Sequence, residues 1–234
     1  MIKFTIVTIT YNAADVFMRT ADSVARQTYA AVEHLIIDGA SSDGTQNMAE
    51  EYKKASDAAC NGHEVRIISE PDKGLYDAMN KGRRLATGDY VCFLNAGDFF
   101  PSADTLAVIA ANARLEECSS EGKPLPGVLY GDTDWVDNDG NYMSRRRLTP
   151  PEKLTWRSFR HGMLVCHQAF YARTDLAQKV PYDLRYRFSA DVDWCIRIMK
   201  EAEKESLPLV NVHATIADYQ REGPVSYTHL TLPT

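Results

Sequence analysis

The sequence has no Cys-x-x-Cys pair, no apolar run of membrane-spanning length, no positive charge excess and neither of the common glycine-rich phosphate loops. Each absence removes a class of function. The five cysteines (Cys60, Cys92, Cys118, Cys166, Cys195) are scattered, which excludes a zinc-finger spacing and fits reduced packing residues in a cytoplasmic protein. No uninterrupted apolar stretch approaches the roughly 18 residues that span a bilayer. The opening MIKFTIVTIT enters a strand-like pattern with no secretory cleavage signal. A formal net charge of −6 argues against a nucleic-acid partner, which requires a positive surface. Without G-x-G-x-x-G the dinucleotide turn is missing, and without G-x-x-x-x-G-K-[ST] so is the P-loop.

What is present is enough apolar material for a sizeable core: 44% of 234 residues. Over the first hundred residues the pattern alternates. β-Branched apolar runs at 4–10, 33–38, 65–69 and 90–94 read as buried strands. Between them, Phe17, Ala21 and Val24, then Met48, Tyr52 and Ala55, then residues 75–86 mark helices. A Ser or Thr within 41–45 is expected to cap the second of these, and Gly88 to end the third. This rhythm predicts an α/β fold, a mostly parallel central sheet with helices on both faces. Further on, the spacing predicts a helix over 103–115, a strand over 128–136, a hairpin turn at 137–140, a helix over 191–203 and a strand over 209–219.

In an open parallel sheet, ligands bind beyond the carboxyl ends of the strands. Those ends read Thr10-Tyr11-Asn12, Asp38-Gly39, Glu70-Pro71-Asp72-Lys73-Gly74 and Asn95-Ala96-Gly97-Asp98. All four are polar or glycine-bearing and three carry a carboxylate, so a pocket is expected there. With no glycine cradle for phosphates, a divalent metal (Mn²⁺ or Mg²⁺) on Asp98 is the expected counter-charge.

In this order, TITYNA, IIDGASSDGT, EPDKGLYDAMNKGRRLATGDYVCFLNAGD and SADVDWCIR resemble family 2 glycosyltransferases of the GT-A fold, bacterial polysaccharide-assembly type, over roughly residues 3–226. The resemblance implies a Rossmann-like α/β/α sandwich, a nucleotide-diphosphate sugar donor with UDP favoured, a divalent metal and an inverting transfer to a saccharide or lipid-linked saccharide. By the same resemblance Thr10, Tyr11 and Asn12 line the nucleotide, and Asp38 accepts from the base. Asp72, Gly74, Tyr76 and Asn80 belong to a segment closing over base and ribose. Asn95, Ala96, Gly97 and Asp98 match the Asp-x-Asp position, Asp191 matches the catalytic base, and residues 223–226 match a Gly-Gly-x-Ser segment. Two departures stand out. Asn95 and Gly97 take places where relatives often carry carboxylates, leaving Asp98 as metal ligand, and Ala190 replaces a frequent Glu before the base.

The second half offers candidates for acceptor or diphosphate: His167, Gln168, Trp156 and Arg157. Residues 144–161 form a basic patch in an acidic chain, suited to diphosphate charge or to an anionic lipid-linked acceptor during peripheral contact with the inner face of the cell membrane. Residues 1–226 are expected to form one domain, with 1–100 as donor half and 101–226 as acceptor half, followed by a truncated or non-native tail at 227–234. Two readings of other classes stay open: a non-catalytic sugar-nucleotide binding protein, and a nucleotidyltransferase. The latter usually needs a glycine- and base-rich loop after the first strand, and TITYNA is not one.

Overall fold

The structure is a computed structural model and describes residues 1–220. Strand β1 (Phe4–Thr10) lies at the centre of the first half, parallel to β2 (Val32–Asp38) on one side and to β4 (Tyr90–Phe93) on the other. β3 (His63–Ser69) extends β2 in parallel. Three helices make the crossovers: α1 (Ala14–Ala25), α2 (Thr45–Ala59) and α3 (Leu75–Leu85). Every residue of β1, β2 and β4 is buried, as expected for parallel strands covered on both faces. Polar residues inside this layer pair with each other. Thr5 donates to Glu33 (2.6 Å), which also takes the Arg66 guanidinium (2.6 Å), and His34 bridges Thr8 (2.9 Å) and Tyr52 (2.8 Å).

The second half adds α4 (Thr105–Asn112), α5 (Leu115–Ser120), β5 (Val128–Val136), β6 (Tyr142–Arg145), β7 (Phe170–Arg173), α6 (Thr174–Lys179), α7 (Ala190–Lys204) and β8 (Leu209–Gln220). β7 enters antiparallel between β4 and β5, so β5 runs in the same direction as β4. β6 pairs antiparallel with β5, and β8 pairs with β5 in parallel. The sheet therefore runs β3-β2-β1-β4-β7-β5-β6, with β8 on β5. It is mixed beyond β4, yet the carboxyl ends of β1 to β5 and β8 all open on one side.

Three local expectations need correction. Residues 103–115 form two helices, because Arg114 takes a left-handed φ of 51° between α4 and α5. Gly88 does not end α3. The helix stops at Leu85, and Gly88 is there because a Cβ would stand 2.7 Å from the Lys3 carbonyl. No Ser or Thr hydroxyl caps α2. The Asp43 carboxylate accepts from Thr45 N (3.0 Å) and also from Ala14 N at the start of α1 (3.0 Å), holding both helix starts with one side chain.

Helix α7 is fixed by aromatic packing. Trp194 stacks on Tyr182 (4.8 Å) and meets the edge of Phe93 in β4 (5.7 Å) and of Phe170 at the start of β7 (5.9 Å). Its indole N–H donates to Val180 O (2.9 Å). This seats the first turn of α7 at the end of β4.

Candidate active site

The ends of β1, β2 and β3 are stitched into one rim. Asp38 is fully buried and accepts from Ser41 N (3.0 Å), from the Ser41 hydroxyl and from Ser69 Oγ (2.6 Å). Asn12, at φ 47°, donates its backbone N–H to Ser41 Oγ (2.8 Å), while its side-chain oxygen accepts from Ser42 N (2.9 Å). Asp72 accepts from Gly74 N (2.8 Å) and reaches over Gly39, where a Cβ would lie 2.8 Å from Asp72 Oδ2 and 3.1 Å from the Tyr11 ring. Glycine at 39 thus lets Tyr11 and Asp72 meet above the strand end. Tyr11 is 67% exposed, so its ring forms an open wall.

Among the described residues, two buried oxygens at this rim have no hydrogen-bond partner: Thr10 Oγ1 and Asn95 Oδ1. Leaving a buried polar atom unpaired costs roughly 1–3 kcal/mol. Such atoms at the mouth of a sheet cleft are open to a water or a ligand that pairs with them.

Asp191 lies in the first turn of α7 and is buried. Tyr76 Oη donates to its Oδ1 (3.2 Å), and His167 Nδ1 stands 3.4 Å from its Oδ2. On the other side, His167 Nε2 faces the Asn95 amide nitrogen at 3.3 Å. With the Asn95 nitrogen as donor, Nε2 is the acceptor and an Nδ1–H is directed at Asp191. Burial, then the Asp191 charge, push the Tyr76 phenol well up, so it stays a donor at neutral pH. Asp193 points away and pairs with Arg197 (2.5 Å). Hence a single carboxylate of α7 faces the cleft, linked through His167 to the turn after β4.

Residues 95–98 form that turn. Asp98 N donates to Asn95 O (2.9 Å), Gly97 adopts φ 103°, and Thr20 of α1 bonds Gly97 N (2.9 Å) and Asp98 O (2.6 Å). The Asp98 carboxylate is 5% exposed, with Oδ2 taken by Gln168 Nε2 (2.7 Å) and Oδ1 by Gln220 N (3.1 Å). Burial raises it to about 6, against the pull of Gln168, His167 and Gln220.

Residues 5–179 match the glycosyl transferase family 2 description. The chain belongs to family 2 of the glycosyltransferases. Over 226 residues it is 34% identical to a PGL/p-HBAD biosynthesis glycosyltransferase of Mycobacterium bovis, covering 96% of this chain and 79% of that one. It is 28% identical to the amylovoran biosynthesis glycosyltransferase AmsB of Erwinia amylovora, over 93% of this chain and 69% of that protein. Its fold matches S. aureus TarS 1–349 in complex with UDP-GlcNAc at a TM-score of 0.74 and 15% identity, over 98% of this chain. It spans 62% of that chain and 36% of another TarS chain. The architecture is therefore that of a GT-A glycosyltransferase.

Within this family-2 chain, the metal expected on Asp98 would meet a carboxylate whose two oxygens each accept one protein hydrogen bond, Oδ2 from Gln168 and Oδ1 from Gln220 N, and each keep a lone pair. Gly97 supplies no side chain, and a Cβ there would collide with Gln220 Oε1. Among the described residues no three His, Cys, Asp or Glu side chains gather as a metal site. Asp98 ties the β4 turn to Gln168 and to the end of β8.

Other expected residues also find different work. Asn80 is 5% exposed: Nδ2 donates to Tyr182 O (2.9 Å), and Oδ1 accepts from Tyr182 N (2.9 Å) and Arg83 Nε (2.8 Å). Gln168 is 1% exposed, with its oxygen accepting from Cys166 Sγ (2.8 Å). Trp156 donates to Glu203 (3.0 Å) and packs under Arg157 (4.3 Å) and Lys200 (4.6 Å). Glu203 is twelve residues from Asp191 on α7, so Trp156 and Arg157 stand about 18 Å along the helix from the cleft. Gly74, at φ 109°, leads into α3 with open space around it, and Ala96 N bonds Ile9 O (3.1 Å). Residues 223–226 and 227–234 lie outside the described residues. Sequence reading missed Ser41 and Ser69 as the holders of Asp38. The parallel register, which sets Ser69 opposite Asp38, is the signal that finds the second.

Proposed function

We propose that the chain transfers a sugar from a nucleotide-diphosphate sugar to a hydroxyl of a saccharide or lipid-linked acceptor, with inversion, in bacterial polysaccharide or glycolipid assembly. The carrying observation is the Asp191 carboxylate, held by Tyr76 and His167 and linked to Asn95 at the mouth of the sheet. The nucleotide lies across Thr10, Tyr11, Asn12 and Asp72, where Thr10 Oγ1 and Asn95 Oδ1 await partners. Asp38 acts at one remove by fixing the Ser41 loop. UDP is the base to test first. TarS structures of this fold contain UDP-GlcNAc and UDP, whereas a mannosyltransferase from Pyrobaculum calidifontis contains GDP-Man and Mn²⁺.

In the step itself, the acceptor oxygen attacks the anomeric carbon as its proton passes to Asp191. The bond from that carbon to the diphosphate oxygen breaks, and its electron pair leaves with the nucleoside diphosphate. Tyr76 and the Nδ1–H of His167 hold the carboxylate in place; they are positioning residues. No covalent sugar–protein intermediate is required.

The test is donor binding and nucleotide release with UDP-, GDP- and dTDP-sugars. Asp191→Asn is expected to bind donor as the parent does while turnover falls about 10²–10⁴-fold, the usual worth of a general base. Turnover equal to the parent's would remove Asp191 from the mechanism. A parent that binds donor but releases no nucleotide with any saccharide acceptor is instead a sugar-nucleotide binding protein.

A further inference from the structure

Lysine is rarely buried inside a helix, yet Lys81 of α3 is only 9% exposed. Its ammonium has two partners, both in the loop between β3 and α3. It donates to Pro71 O (2.9 Å) and pairs with Glu70 Oε1 (3.1 Å). The Glu70 side chain is 57% exposed, so water screens that ion pair and it is worth little. The carbonyl contact is the specific one, and among the described residues no other donor reaches Pro71 O. Stability does not ask for a charge at this position. A methionine of similar length would fill the space with no ion to desolvate.

The loop that Lys81 holds carries Asp72, which reaches over Gly39 towards the Tyr11 ring. One end of the loop is fixed to the sheet, where Glu70 N donates to Asp38 O (3.0 Å). The other end enters α3 at Gly74, whose N–H closes on Asp72 Oδ1 (2.8 Å). A Cβ on Gly74 would meet nothing within 4 Å, so packing does not hold this end. Between the two ends the fastening comes from one face of α3. Lys81 takes Pro71 O. Asp77, four residues earlier and so on the same face, accepts from Lys73 N (3.0 Å). Removing the Lys81 ammonium frees the carbonyl directly before Asp72.

We propose that Lys81 is a positioning residue for the donor: through Pro71 O it holds loop 70–74 so that Asp72 meets the nucleotide beside Tyr11. It acts through Asp72 and needs no contact with the sugar or with Asp191. The inference rests on the reading of this rim as the donor site, whereas the hold on the loop is measurable without any donor.

The experiment has two readings on the full chain. The first is titration calorimetry with whichever of UDP, GDP and dTDP the parent binds, on the parent, Lys81→Met, Asp72→Ala and the double variant. The second is the rate of tryptic cleavage between Lys73, which is exposed, and Gly74, followed by fragment mass. Lys81→Met is expected to weaken nucleotide binding about tenfold, the scale of one charge-assisted hydrogen bond. Asp72→Ala is expected to weaken it at least as much, and the double variant no further than Asp72→Ala, because the two residues act in series. Lys81→Met is also expected to be cut after Lys73 faster than the parent, at an unchanged melting temperature. Lys81→Gln, which removes the charge and shortens the reach to Pro71 O, is the second variant and carries the same expectations. Losses that add in the double variant, or cleavage after Lys73 no faster than in the parent, overturn the proposal. A parent that binds none of the three nucleotides removes the donor reading of the rim instead, and the cleavage rate still decides whether Lys81 holds the loop.

Discussion

Two buried titratable side chains act on stability with opposite signs. Asp98 is raised by burial to about 6, above the ordinary 3.8. Between roughly pH 4 and 6 the native chain holds a proton there that the unfolded chain has released, so its stability contribution is lost as pH rises. His34, buried between Thr8 and Tyr52, is lowered by burial to about 3 from 6.5. Its contribution is lost as pH falls below about 6.5, because the unfolded chain takes the proton first. The windows overlap, so the parent's melting temperature is expected to change little from these two groups between pH 4 and 6. Single changes separate them. Asp98→Asn leaves only the His34 slope, and its melting temperature gains on the parent's as pH rises, by the equivalent of at most ~3 kcal/mol. His34→Gln leaves the Asp98 slope and loses ground over the same range. Melting curves for the three proteins at several pH values check this, and an Asp98→Asn curve parallel to the parent's would show that Asp98 does not titrate there.

Elements whose identity depends on their own residues were legible before the structure. β1 and β2 announce themselves as β-branched runs, and the polar ends of four strands mark the cleft. Asp191 stands out because a helix turns Asp193 some 200° away from it. What was hidden depends on partners distant in the chain. Asp98 meets Gln168 and Gln220, 70 and 122 positions away, and Asn80 meets Tyr182, 102 away. The four-residue β7 was missed because so short a run has no period of its own and is a strand only between β4 and β5. The turn after β4 shows the consequence for chemistry. Sequence comparison makes Gly97 a lost carboxylate; its φ of 103° strains any side chain, and a Cβ there would have to displace the Gln220 amide. Gly97→Asp is therefore expected to lower stability by roughly 1–3 kcal/mol and to gain no protection from Mn²⁺ or Mg²⁺. The parent, too, is expected to show no metal-induced rise in melting temperature without donor. A clear rise in either protein would show that Asp98 holds a metal without donor phosphates.

The first and second halves of the chain are distinguishable by sequence but share their interior. The largest apolar cluster joins Val7, Leu35, Met79 and Phe93 of the first half to Val128, Phe170, Trp194 and Met199 of the second. β4 and β7 hydrogen-bond across the same boundary, and the Asn80–Tyr182 pair crosses it again. Neither half could open without exposing this cluster, whose burial stabilises by ~25 cal/mol for each Å². The two halves are therefore expected to unfold together. The three tryptophans offer a direct measurement, since Trp135, Trp156 and Trp194 all lie beyond residue 100. In guanidinium chloride their emission reports the second half, while far-UV ellipticity draws on the helices of both. Coincident midpoints are the expected result. If emission changes at a lower denaturant concentration than ellipticity, the second half opens alone, and Asp191 is then held to the donor cleft by a separable layer and not by a shared core.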